Sequence, residues 1–352
     1  MPYLIPIFIA VFGDVAIFRA GELWQRGQNT DSALWAWALV GLLFVGHPLC
    51  DGLMNDWKMK PLNTFESKVA GQLFRLIFPL NVACLVLSFR SLQVVFATPE
   101  GSWLVVAGVI LSAGIFLGVF GINSAHEFIH RESRLERSLG VVTLMLVNFA
   151  SFRINHVDIH HRWVATPTDP TTARKGENLY LYWLRSYFGG WGQSFAFEQE
   201  RLAGKSAVIR VLQNRLFLYT AVSLLGSLMV FAFGGAFMLF SWWAISLIAM
   251  ALLQTVDFVE HYGLVRKELK PGIFEAIKPQ HSWDSDSFLT NSVLFNLGLH
   301  SHHHTRSQLH FTELRRSSEA RKMKYGYSVM FLVALVPPLW RSLVDPLLAP
   351  HD

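Results

Sequence analysis

Fourteen histidines occur in the chain, and all but His47 lie at residue 126 or beyond. They gather in four clusters: HEFIH with His126 and His130; NHVDIHH with His156, His160 and His161; VEHYGL with His261; and LHSHHHTR with His300, His302, His303 and His304. Three of these contain histidines four residues apart, a spacing that on a helix places both imidazoles on one face, about one turn apart, where they can chelate a cation. HEFIH alone fits the zinc-peptidase pattern H-E-x-x-H, with Glu127 as general base. Taking two, three, one and three ligands from the clusters gives nine in all, more than one tetrahedral zinc uses. Two metals are implied, and the peptidase reading leaves most of the histidines idle. Imidazole suits Zn, Cu, Fe and Ni, and histidine-rich sites with open positions suit oxygen-activating iron. Spacing does not choose among these metals.

The elements that carry the clusters are apolar. At 352 residues, 52% hydrophobic and 16% charged, with mean hydropathy +0.34, the chain is too apolar for a soluble domain, where roughly 25% charged residues are usual. Six stretches of spanning length are expected: about 2–18, 33–54, 69–96, 103–125, 216–235 and 236–258, with Gly234-Gly235 as the turn between the last two. The stretch 139–152 is too short to cross and 325–340 is interrupted by Pro337-Pro338, so each reads as interfacial or core-packed. The N-terminus lacks a basic leader and reads as a retained span.

Lys58, Lys60 and Lys68, then Arg131, Arg134 and Arg137, and then Arg266, Lys267 and Lys270 mark the cytoplasmic ends of the spans. Both termini and the two large polar regions, 126–215 and 259–352, are therefore expected on the cytoplasmic side, and all four clusters can converge at one membrane boundary. The net charge of +5 reads as this loop bias, since no nucleic-acid motif occurs. Cys50 and Cys84 lie apart in apolar runs and support neither a disulfide framework nor a cysteine metal site.

The clusters and their surroundings resemble the membrane alkane hydroxylases and related xylene monooxygenases of the membrane desaturase and hydroxylase superfamily. The stretches that carry the resemblance are HEFIHR, NHVDIHHRWVATPTDPTTARKGE, DFVEHYGL and FNLGLHSHHHTR, with flanking PLCDGLMND (48–56), WDSDSFLTNSVLFNL (283–297) and GYSVMFLVALVPPLW (326–340). The similarity covers most of the chain from about residue 48. Three positions depart from the family pattern: Asn155 stands for a glutamate, Leu299 for an arginine and His302 for an aspartate.

The resemblance implies an all-α polytopic membrane protein, one domain over 1–352, with six transmembrane helices and a cytoplasmic histidine-rich di-iron cap. It implies a non-haem di-iron monooxygenase that hydroxylates an unactivated C–H bond with O2 and two electrons, most directly the terminal methyl of an alkane. A benzylic methyl or another hydrophobic substrate, hydroxylated or desaturated, is the alternative. By alignment with the family spacing, the ligands of two Fe ions are His126, His130, His156, His160, His161, His261, His300, His303 and His304. Carboxylates that accept the free ring N–H should orient such ligands, and Asp158, Asp169, Asp257, Glu260 and Asp286 are candidates, with Glu127 a further one or a surface residue. With no cysteine cluster of its own, the chain should receive electrons from a separate rubredoxin, or from a ferredoxin with its reductase. The expected location is the bacterial inner membrane, multi-pass, with lipid as neighbour and the active site on the cytoplasmic side. His47, His281, His310 and His351 read as packed or locally hydrogen-bonded residues, and a metal transporter is disfavoured because the histidines gather at one boundary instead of along the spans.

Overall fold

The computed structural model describes residues 2–54, 57, 60–98 and 101–348. Asn55 and Asp56 of the first flanking motif, Lys58 and His351 lie outside them. Four helices long and apolar enough to cross a membrane come first: α1 (Pro2–Gln25), α2 (Asn29–Leu53), α3 (Thr64–Phe96) and α4 (Trp103–Ile129). Then follow α5 (Arg134–Leu146), a helical stretch α6 (152–163), α7 (Leu179–Arg201), α8 (Ala207–Leu212) and the run α9 (Arg215–His261), a fifth such helix. The remainder carries α10 (Phe288–Val293), α11 (His300–Thr305), α12 (Tyr327–Ala334) and α13 (Pro337–Val344). Sheet among the described residues is confined to two pairs of very short strands. The protein is thus a mostly helical membrane protein.

Local chemistry sets many of the helix starts. Ser102, Ser133, Asn178, Ser206 and Ser287 each stand just before a helix and accept a hydrogen bond from an amide two or three residues on, which satisfies one of the donors every helix leaves open. The helices overrun the expected apolar stretches because a helix need not stop at the edge of the hydrocarbon. In particular, α4 continues from the apolar run straight through HEFI. The run α9 leaves helical geometry at Gly235, with φ +70° and ψ −170°. Trp243 Nε1 donates to Ser227 Oγ at 3.2 Å. Sixteen residues along a straight helix would separate these groups by about 24 Å, so α9 doubles back at the glycine pair that the sequence marks as a turn.

The chain forms two compact units, each assembled from three separated segments. The first comprises 1–47, 64–150 and 217–253. Its helices meet through small and hydroxylated residues: Ser32 Oγ donates to Ala20 O (2.7 Å), Ser91 Oγ to Ile17 O (2.8 Å) and Ser112 Oγ to Ala36 O (2.7 Å). Such close approaches suit apolar surroundings, where van der Waals contact and interhelical hydrogen bonds hold helices together. Of the apolar window of α4, 78% is buried against 28% for α2, so α4 is the central helix of this unit.

The second unit comprises 48–63, 151–216 and 254–352. Its core joins Tyr182, Phe258, Tyr262, Trp283, Tyr327 and Trp340. Three of these aromatics have their polar tips tied to neighbours: Trp283 Nε1 donates to Tyr262 O (2.9 Å), Tyr262 Oη to Asp345 Oδ1 (2.8 Å), and Tyr327 Oη to Trp283 O. Buried large aromatics supply the area, and these bonds fix their orientation.

Candidate metal centre

Four histidines from three elements of the second unit meet in its interior. His160 comes from α6, His261 from the end of α9, and His300 and His304 from α11, and all four are buried. Their ligating nitrogens lie within 4.8 Å of one another. His300 Nε2 stands 3.1 Å from His261 Nε2 and 2.9 Å from His304 Nε2. Nitrogens bound at 2.0–2.1 Å to one tetrahedral ion would be about 3.3 Å apart. The donor set therefore fits a metal, and the buried Nε2 of His160, which has no hydrogen-bond partner, fits it too.

A second group joins His161 to His156 (Nε2 to Nε2, 3.0 Å) and to His303 (3.2 Å). The division of NHVDIHH between the two groups departs from the expected helical pairing. Residues Asn155–His160 form a π-helical turn, in which residues four and five apart fall on either side of one heading. His156 therefore meets His161, while His160 diverges to the other group. Single π turns recur at functional sites, and another, Leu117–Ile122, leads into the helical turn that carries His126. His126 and His130 belong to the first unit, where their rings stand 5.2 Å apart at the end of α4.

A carboxylate holds the outer ring nitrogen of His160 in place. Asp169 Oδ2 lies 2.8 Å from His160 Nδ1, and Thr171 Oγ1 lies 2.7 Å from the same atom. Asp169 is itself held by Thr171 N (3.0 Å), Thr171 Oγ1 (2.8 Å) and Thr172 Oγ1 (2.7 Å). Burial opposes its charge, but His160 and these donors outweigh burial and bring its pKa down to about 2. Burial likewise opposes a charged His160, yet Asp169 raises its pKa above the ordinary imidazole value. Burial and the neighbouring imidazoles push His304 well below that value and keep it neutral, the form a metal needs. Glu260 Oε1 stands 3.3 Å from His300 Nδ1.

Of the other carboxylates singled out in the sequence, Asp257 lies beside the four-histidine group and the rest form ion pairs. Asp257 accepts from Tyr182 Oη (3.3 Å) and neighbours Glu260 and His261. Glu127 pairs with Arg131 (3.3 Å), Asp158 with Arg153 (3.3 Å) and Arg215 (3.0 Å), and Asp286 with Arg316 (3.5 Å) and Lys322 (2.6 Å). His302, half-buried, accepts from Arg315 N at Nδ1 (3.0 Å) and belongs to neither histidine group. His281 is buried and accepts from Lys278 N (3.0 Å), and His310 Nδ1 lies 2.9 Å from Thr312 Oγ1.

Two carboxylates that spacing did not signal organise the fourth cluster and the flanking motifs. Asp284 accepts from Ser301 N and Ser301 Oγ, both at 2.7 Å, and so caps the helix that carries His300, His303 and His304. Asp51 accepts from Ser287 Oγ, Thr290 N (3.1 Å), Thr290 Oγ1 (3.0 Å) and Ser328 Oγ (3.0 Å). The three flanking motifs thus converge on one carboxylate, and the only forewarning was their acidic and hydroxyl content.

Comparison with known proteins agrees with this arrangement. The family profile described as Fatty acid desaturase matches residues 101–333. The chain belongs to the fatty acid desaturase family. Within it, the chain is 34% identical over 338 residues to Alkane 1-monooxygenase 1 of Pseudomonas aeruginosa, covering 94% of this chain and 88% of that protein. It is 32% identical over 329 residues to Alkane 1-monooxygenase 2 of the same organism, covering 92% and 86%. To the xylene/toluene monooxygenase hydroxylase component XylM of Pseudomonas putida it is 30% identical over 239 residues, 68% of this chain and 63% of that protein. Every histidine group lies inside the desaturase-family match.

Proposed function

We propose that this desaturase-family chain is a non-haem di-iron monooxygenase of the membrane that hydroxylates the terminal methyl of an alkane, with O2 and two electrons from a separate carrier. The observation that carries the reading is the pair of histidine groups, one fully and one partly buried, in a chain similar over most of its length to alkane 1-monooxygenases. His160, His261, His300 and His304 would hold one ion. His156, His161 and His303 would hold the other; His126 and His130 are further proposed iron ligands, on the four-residue spacing of that pair at a helix end.

Bound iron would supply the reduction of O2 and the oxidation of the C–H bond. The residues of the chain do the rest. Neutral Nε2 lone pairs would present the ligand set, and Asp169 accepts the Nδ1–H of His160 and fixes that ring's tautomer and heading. Thr171 and Thr172 keep Asp169 ionised, which supplies negative charge that neutral imidazoles lack. Burial of the four-histidine group would keep bulk water from the reacting carbon.

The same reading includes six crossings, the sixth from the fold-back of α9 at Gly235, and a histidine-rich cap on the cytoplasmic side of the bacterial inner membrane, supported by the lysines and arginines at the span ends. It treats 1–352 as one catalytic domain, since neither unit is a contiguous stretch. Rubredoxin, or ferredoxin with its reductase, is the electron donor assigned. Benzylic methyl oxidation is the second reading and rests on the similarity to XylM. Purified protein should contain two irons per chain and, with an electron-transfer chain, convert octane to 1-octanol. One zinc without iron, or no alcohol from octane or xylene, overturns the proposal, and benzylic alcohol alone selects the second reading.

A further inference from the structure

The region 126–215 is expected to be polar, yet it contains a long helix that is apolar on the outside. On α7 the inward face is Tyr182, Ser186, Gly190, Ser194 and Glu198, all buried. The outward face exposes Leu181 (64%), Leu184 (59%), Phe188 (66%), Trp191 (41%) and Phe195 (37%). These five fall on one stripe of the helix, about 21 Å long at 1.5 Å per residue. A helix washed by water on that side would carry the opposite pattern. On α8, Val208, Val211 and Leu212 are exposed as well.

Both ends of α7 are tied to apolar segments. Glu198 accepts from Arg215 N (2.8 Å), Nε (2.8 Å) and Nη2 (2.6 Å), and Arg215 is the first residue of the spanning run α9. At the other end Tyr180 Oη donates to Leu335 O (2.7 Å), beside the exposed Val336 and Leu339. Exposed basic residues flank the stripe: Arg174 and Lys175 precede it, and Arg201, Lys205 and Arg210 follow it.

We propose that α7 and α8 are interfacial helices lying in the plane of an anionic lipid leaflet, with the Leu181–Phe195 stripe among the acyl chains and the flanking arginines and lysines at the phosphates. Such helices sink their apolar face about 5–10 Å below the headgroups, and tryptophan and tyrosine favour that depth. Cations near the surface are drawn to anionic lipid. Association of two copies through this stripe is disfavoured by charge, because both ends are basic and either alignment sets like charges opposite one another. The inference does not depend on the metal reading.

The test uses the full chain in nanodiscs containing phosphatidylglycerol, with nitroxide labels at L184C, F188C and, as a control on the opposite exposed side, E200C, in a C50S background. At 184 and 188, collisions with O2 should exceed those with a water-soluble nickel chelate, and the order should reverse at 200. Nickel access at 184 and 188 equal to that at 200 overturns the proposal. So does dipolar broadening between labels that disappears on dilution with unlabelled chain, which would place a second copy on the stripe. The unaltered protein gives an independent readout: a photoactivatable group carried in phospholipid acyl chains should label the peptide 179–201. Labelling of the spans without that peptide also overturns it.

Discussion

Asp169 and Asp284 show two uses of a buried carboxylate in one site. Asp169 faces an imidazole and three donors and stays ionised, with a pKa of about 2. Asp284 also accepts from Ser301, but burial is the larger effect and its pKa rises to about 7. That difference has a measurable consequence for the metal-free protein. Below pH about 4 Asp284 is protonated in folded and unfolded chains alike. As pH climbs from about 4 to about 7, the unfolded chain ionises while the folded one holds its proton, so the stabilising effect is lost progressively and levels off above 7. Asp284→Asn should therefore flatten this part of the pH profile of thermal unfolding, with the difference in slope from the unaltered chain confined to about pH 4 to 7; parallel profiles would refute the assignment. The histidines were legible in the sequence because metal chemistry restricts residue type and spacing. Asp284 was not, since nothing in a sequence says that a carboxylate will meet an amide 17 positions later.

At the scale of elements, helices were legible from apolar length, whereas their serine caps and their departures from α geometry were not. NHVDIHH contains the four-residue spacing of an α-helix, and only the π turn reveals that His160 and His161 serve different groups. The character of α7 was hidden for a related reason: averaged over the helix its composition is moderate, and the apolar stripe emerges only when burial fixes which side is out. Glycine at 326 illustrates a constraint of contact instead of pattern. A Cβ there would overlap Asp51 Oδ2 and come within 2.9 Å of Thr290 Oγ1. Gly326→Ala should force the Asp51 carboxylate off its donors and cost about 3 kcal/mol, seen as a lower melting temperature; a change under about 0.5 kcal/mol would mean the node yields freely.

For the whole molecule, two groups of imidazoles face one another across short distances, an arrangement that a bound cation stabilises by mass action. A ligand at 1,000 times its dissociation constant contributes about 4 kcal/mol per site. Iron removal by chelation should therefore lower the melting temperature markedly, and ferrous iron should restore it; an unchanged transition would argue that the groups hold no metal. The membrane class of the protein was plain from composition, but its division into two interleaved units was not, because that depends on which distant segments meet. The interleaving bears on biogenesis. One four-histidine group draws on positions 160, 261, 300 and 304, so a growing chain cannot close around an ion until the ribosome has passed nearly its entire length. Insertion into the bilayer must come first, and the cell must deliver its metal to a polypeptide already embedded there.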